Sequence, residues 1–135
     1  MHLGTAPEFG VVMLDATPEA ATDPLLAGAP ARVPAMQWHD DTFDLPPGAV
    51  PLLAGAACRN QAFRVAGVVW AFQCHLEADR RAMVEWAAYR RDVYGDVDLT
   101  AELARQAAAH GEAAEAFGRQ VADRWLDLVA AHAPG

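Results

Sequence analysis

The pattern of apolar and polar positions divides the chain in two near residue 75. Before that point the apolar residues fall in short runs bounded by Gly, Pro and Asp, the pattern expected of strands. The runs are VVMLD at 11–15, RVPAMQW at 32–38, AVPLLAG at 49–55, QAFRVAG at 61–67 and VVWAFQ at 68–73. Gly67 separates the last two and predicts a hairpin. The first ten residues are rich in Gly and Pro and read as a loop. Between the first two runs, Thr17 suits an N-cap and Pro18 the first helical position, and Pro24 limits the segment to one or two short turns.

From Asp79 onward the period becomes helical. Ala82, Trp86, Tyr89 and Val93 recur on one stripe, flanked by Met83 and Arg90. YGDVD at 94–98 predicts a break. Thr100 suits the cap of a second helix, whose broad apolar face carries Leu103, Ala107, His110, Ala114, Phe117, Val121, Leu128 and Val129. Gly111 and Gly118 each weaken a helix by about 1 kcal/mol relative to Ala, so the pattern fits one bent helix or two. The elements together predict an α/β domain, with strands within residues 11–73 and two C-terminal helices, the second an extension over about 98–132.

Composition narrows the function. A chain of 135 residues fits a single domain, and 53% hydrophobic residues exclude disorder. The net charge is −8, and all ten basic residues are Arg, scattered among acids. Nucleic-acid binding needs a basic face to neutralise phosphates, so it is excluded as a primary role, and the same acidity disfavours anionic membranes. No run approaches the roughly 20 apolar residues of a membrane span, and the N-terminus lacks a basic region followed by an apolar one. A cytoplasmic location is expected. Cys58 and Cys74 fit no metal or redox spacing and are expected to be free thiols in a reducing compartment.

Two stretches offer chemistry. FQCHLE at 72–77 follows an apolar strand, and ligands in open α/β sheets bind beyond the carboxyl ends of strands. There His75 suits a general acid or base, and Glu77 suits a carboxylate that orients it. A solvated strand-to-helix turn is the alternative. In QWHDDTFDLP at 37–46, His39, Asp40, Asp41 and Asp44 offer metal donors, but no spacing matches a zinc or calcium loop. No metal and no cofactor is predicted. A metal module at His39/Asp41 and His75/Glu77 is a weaker alternative.

In order along residues 7–86, these segments resemble the class I glutamine amidotransferases, most of all the branch similar to the amidotransferase domain of GMP synthetase. PEFG is similar to that family's Glu-x-Gly segment. WHDDTFDLPPGA resembles its Trp-His-Gly-Asp-Thr-Phe-Asp-Leu-Pro pattern, with Asp40 in place of the usual glycine. NQAFRV resembles its Gln-Ala-Phe-Arg strand, and FQCHLE its Phe-Gln-x-His-x-Glu box, with Leu76 where proline is common. The resemblance implies part of a flavodoxin-like, mostly parallel, doubly wound sheet. It also implies hydrolysis of the glutamine amide to glutamate and ammonia through a Cys-His-Glu triad.

By position, the resemblance assigns the histidine role to His75 and the glutamate role to Glu77, and places Trp38 and His39 near bound glutamine. The family's nucleophile lies in a Gly-x-Cys-x-Gly elbow that precedes the Glu-x-Gly segment, and no such elbow occurs in this sequence. Neither cysteine has the flanking glycines. Neighbouring strand residues such as Cys74 and His75 point to opposite faces and are not a nucleophile–base pair. The resemblance therefore implies a single, N-terminally incomplete amidotransferase-like domain over 1–135, inactive by itself. It would act on glutamine when the missing half is supplied, or serve as a binding or scaffold protein that completes its sheet as a homo-oligomer or with a partner subunit.

Overall fold

The computed structural model describes residues 1–94 and 98–132. Five strands form one sheet: β1 (His2–Ala16), β2 (Arg32–Thr42), β3 (Val50–Ala54), β4 (Ala62–Val65) and β5 (Val69–Phe72), in spatial order β2-β1-β3-β4-β5. Two helices follow, α1 (Arg80–Tyr94) and α2 (Thr100–Ala131), and a single 3-10 turn (Pro18–Thr22) lies between β1 and β2. The fold is therefore mixed α/β with the strands first and the helices last, as the periodicity predicts. The predicted break at 94–98 falls mostly outside the described residues.

Every described ladder is antiparallel. The parallel pairing implied by the resemblance does not occur among these strands. The connections at 43–49, 55–61 and 66–68 explain this, because a parallel neighbour needs a crossover of roughly a dozen residues or more. The β4–β5 turn has positive φ at Ala66 (53°) and Gly67 (76°), the handedness that a tight hairpin requires.

The first ten residues are not a loop. They extend β1 along β2, from His2 opposite Thr42 to Asp15 opposite Arg32. The register shifts between Leu3 and Glu8, and this irregularity accommodates turn-forming residues inside a strand. Gly10, at φ 95°, lies against Leu103 and Gln106 of α2, where a Cβ would collide with both side chains. Beyond β5 the chain reaches the opposite edge of the sheet: the His75 N–H donates to the Met36 carbonyl of β2 at 2.8 Å. The sheet thus curls, and its two ends meet at residue 75.

Alternate residues of β1 and β2 enter different apolar clusters, as strand periodicity demands. Leu14, Val33 and Ala35 join Leu25, Leu52, Leu53, Phe117 and Val121 in the larger cluster. Met36 packs with Met83, Ala87, Leu103 and Ala107 in the smaller one, with Val11 and Trp38 beside them. The buried stripe of α1 is therefore Met83 and Ala87, with Tyr89 left 59% exposed rather than facing the core. On α2, His110 is also exposed, and Val129 is 47% exposed.

One continuous α2 carries both glycines, and each is a packing position. A Cβ at Gly111 would overlap the Arg80 side chain, and one at Gly118 would overlap the carbonyl oxygen of Leu76. Close approach explains two residues that helix propensity alone disfavours.

Candidate functional site

The segment from Gln73 to Asp79 leaves β5 and enters α1, and several contacts hold it. The His75 N–H bonds to Met36, the Leu76 backbone lies on Gly118, and the Asp79 Oδ1 accepts from the Ala82 N–H at 2.7 Å, capping α1. Glu115 of α2 accepts from both the backbone N–H and the Nε of Arg80, at 3.0 and 2.9 Å.

Within this segment the His75 Nδ1 lies 2.6 Å from the Glu77 Oε1. His75 is partly buried and Glu77 exposed, with side chains 32% and 70% accessible. A proton on Nδ1 donated to Glu77 leaves Nε2 free as a base. The ring meets Trp86 of α1 edge-on, with centroids 5.0 Å apart. Trp86 tilts against Trp38 at 5.7 Å, and Trp38 against Phe9 at 5.0 Å, with the Arg90 guanidinium 4.3 Å over the Phe9 ring. This aromatic row sets the plane of the imidazole and connects Trp38 to His75 through a residue that sequence reading placed only in a core stripe.

Desolvation alone would raise the Glu77 carboxyl. The hydrogen bond from His75, a backbone hydrogen bond and the imidazole charge outweigh it, and the group titrates below its ordinary value of 4.5. A folded value below the unfolded one means that this contribution to stability is present above the unfolded value and lost as pH falls through the folded one. A carboxyl-carbon NMR titration is therefore expected to place Glu77 below 4.5, and His75→Ala to return it toward that value. An unchanged midpoint in His75→Ala would show that the pair does not form in solution.

Both thiols are free and buried. Desolvation pushes Cys74 up to about 12, so it is not a thiolate near neutrality. Its side chain belongs to the larger core cluster, turned away from the imidazole beside it.

His39 lies elsewhere. Its ring sits on the opposite face of β2 from Trp38, 9% exposed, in a polar cluster that strand-by-strand reading does not reveal. The His39 Nε2 is 3.3 Å from the Glu8 Oε2 and 3.1 Å from the Gln37 Oε1, and its Nδ1 is 2.9 Å from the Asp41 carbonyl oxygen. The Gln61 Nε2 donates to the Glu8 Oε2 at 2.7 Å and to the Cys58 carbonyl at 3.2 Å, and the Gln37 Nε2 donates to the Gln61 Oε1 at 2.9 Å. Glu8, Gln37 and Gln61 are all buried. Among the described residues, the donor atoms gathered around His39 are those of Glu8 and Cys58, not those of His75 and Glu77. Asp41 meets His39 only through its backbone carbonyl in these contacts, and Asp40 pairs with Arg90 at 3.4 Å.

An open apolar groove of about 470 Å³ borders the His75–Glu77 segment. Val69, Trp70 and Phe72 of β5, Leu76 and Glu77, and Val121 and Trp125 of α2 line it.

No family model and no curated protein matches the chain, whereas solved structures do. A glutamine amidotransferase from Thermotoga maritima superposes with a TM-score of 0.77 at 24% identity, over 93% of this chain and 54% of that one. A glutamine amido transferase from Methylobacillus flagellatus gives 0.71 at 25% identity, over the same shares. A putative GMP synthase subunit from Thermoplasma acidophilum gives 0.52 at 20% identity, over 70% of this chain and 51% of that one. The fold is that of the class I glutamine amidotransferases. The chain spans about half the length of the solved structures it matches. No helix among the described residues is long and apolar enough to cross a membrane.

Proposed function

We propose that this chain supplies the histidine–glutamate part of a glutamine-hydrolysing site, and that the nucleophilic cysteine comes from a segment outside these 135 residues. The observation that carries the reading is the 2.6 Å His75–Glu77 hydrogen bond, in a chain with a glutamine amidotransferase fold. In the proposed reaction a thiolate attacks the amide carbonyl, and His75 first takes the thiol proton and then delivers it to the departing ammonia. His75 next activates the water that cleaves the thioester, while Glu77 holds the ring tautomer. Trp38 acts through Trp86 on the orientation of His75. His39 lies outside this row, on the opposite face of β2 from Trp38.

The test is ammonia release from glutamine, measured on the purified chain alone and with a complementing segment. The chain alone is expected to give none above background, and release that His75→Ala abolishes would overturn the need for an external nucleophile.

A second reading, a binding or scaffold protein that completes its sheet with a partner, is favoured by the apolar residues at the same edge. Val68 is 74% exposed, Val69 51%, Trp125 50% and Leu126 56%, along the outer strand and the end of α2. The expected result is a concentration-dependent dimer in light scattering, converted to monomer by Val69→Lys with Trp125→Glu. A monomer at all concentrations would remove the self-association form of this reading.

A further inference from the structure

The hydrogen-bond directions around His39 fix its protonation problem. The Cys58 carbonyl only accepts, so the Gln61 atom facing it is Nε2. The Gln61 Oε1 then accepts from the Gln37 Nε2, which turns the Gln37 Oε1 toward His39. The His39 Nδ1 faces the Asp41 carbonyl oxygen and must carry a proton. The remaining ring nitrogen, Nε2, thus points its lone pair at two oxygens, the Gln37 Oε1 at 3.1 Å and the Glu8 Oε2 at 3.3 Å. Three lone pairs converge there. A proton shared between the carboxyl and the imidazole, or a metal ion, settles such an arrangement.

The surrounding donors favour the metal. A carboxylate oxygen of Glu8, a ring nitrogen of His39 and the Sγ of Cys58 all lie within 4.8 Å of one another. Carboxylate, imidazole and thiolate are the three side-chain ligand types of zinc. Zinc bonds of about 2.0–2.3 Å set neighbouring donors roughly 3.3–3.6 Å apart, a spacing that the 3.3 Å oxygen–nitrogen distance already meets, with the sulfur within 4.8 Å of both. The Nδ1–H bond to a backbone carbonyl is the outer-shell contact that commonly orients a metal-bound imidazole, and the Gln61 amide does the same for the carboxylate. A cavity of about 320 Å³, lined by His39, Asp41, Thr42, Cys58 and Asn60, gives access from solvent and room for a water ligand.

We propose that Glu8, His39 and Cys58 form a binding site for a borderline-soft divalent cation, Zn²⁺ foremost, with the Gln37 Oε1 or water as a further ligand. Binding converts the Cys58 thiol to a thiolate. Its proton leaves to solvent, the Thr42 hydroxyl 2.7 Å away can donate to the sulfur, and the affinity rises with pH. The three ligands come from β1, β2 and the loop at 55–61, so the ion would tie that loop to both strands. The site does not depend on the proposed glutamine chemistry.

The experiment is titration of the full 135-residue chain with Zn²⁺ against a chromophoric chelator, with Co²⁺ as a spectroscopic probe. One equivalent of Zn²⁺ is expected to bind, Cys58→Ser and His39→Gln each to weaken it at least tenfold, and Cys74→Ser to leave it unchanged. The Co²⁺ form of the wild-type chain is expected to show a thiolate-to-metal charge-transfer band, a result that stands even if either ligand variant fails to fold. Absence of stoichiometric uptake, a cobalt spectrum without the sulfur band, or undiminished affinity in Cys58→Ser would overturn the site.

Discussion

Mixed with a polypeptide that supplies a Gly-x-Cys-x-Gly elbow, such as the remainder of a structural relative, the chain is expected to release ammonia from glutamine. His75→Ala is expected to lower that rate by about 10²–10⁴-fold, the usual contribution of a positioned acid–base group. The loss should fall on kcat more than on KM, because the imidazole moves protons and need not hold the substrate. Glu77→Gln should cost less, since the 70% exposed carboxylate leaves water able to take its place beside Nδ1. Trp86→Leu tests the aromatic row: it removes no proton-transfer group, yet frees the ring plane that the 5.0 Å edge contact sets. It should therefore lower kcat without moving the pH profile. A complemented assembly in which His75→Ala retains wild-type activity would end the proposal.

The chemistry that was legible in the sequence is the chemistry that is local. His75 and Glu77 are two residues apart, so a single apolar run with a polar end was enough to single them out. The cluster around His39 was not legible, because Glu8, Gln37, His39, Cys58 and Gln61 come from two strands and the loop at 55–61. Local periodicity assigned Glu8 to a loop, and cysteine spacing gave Cys58 no metal partner. Only the β1–β2 register, with Glu8 opposite His39, brings the carboxylate to the imidazole.

The elements show the same division. Strands of alternating or continuous apolar character appear where the pattern placed them, and the hairpin at Gly67 forms. β1 starts earlier than its apolar run because pairing to β2, a non-local term, outweighs Gly and Pro in the first ten residues. The apolar run ends at Trp38, whereas β2 continues to Thr42, so strand alternation also separates Trp38 from His39 into different environments. Both residues were expected near glutamine on a family resemblance alone, and only Trp38 is joined to His75 by packing.

Gly118→Ala is expected to be strongly destabilising for the addition of a single methyl group. A helix gains about 1 kcal/mol from Gly to Ala when nothing else changes. At position 118 the new Cβ would overlap the carbonyl oxygen of Leu76 and lie 3.1 Å from its carbonyl carbon, backbone atoms that no rotamer can move away. Overpacking of this kind costs about 3 kcal/mol, so the net effect is a clear loss, read as a lower urea midpoint with an unchanged slope. The displaced Leu76 lies between His75 and Glu77, so the same variant should return the Glu77 titration toward 4.5. Gly111→Ala is the control: its Cβ meets the side-chain carbons of Arg80, which can swing into solvent at the expense of its ion pair with Glu115. That variant should change stability by less than about 1 kcal/mol, because helix propensity offsets the lost exposed pair. Equal effects at the two positions would show that α2 does not seat the His75–Glu77 segment through its glycine.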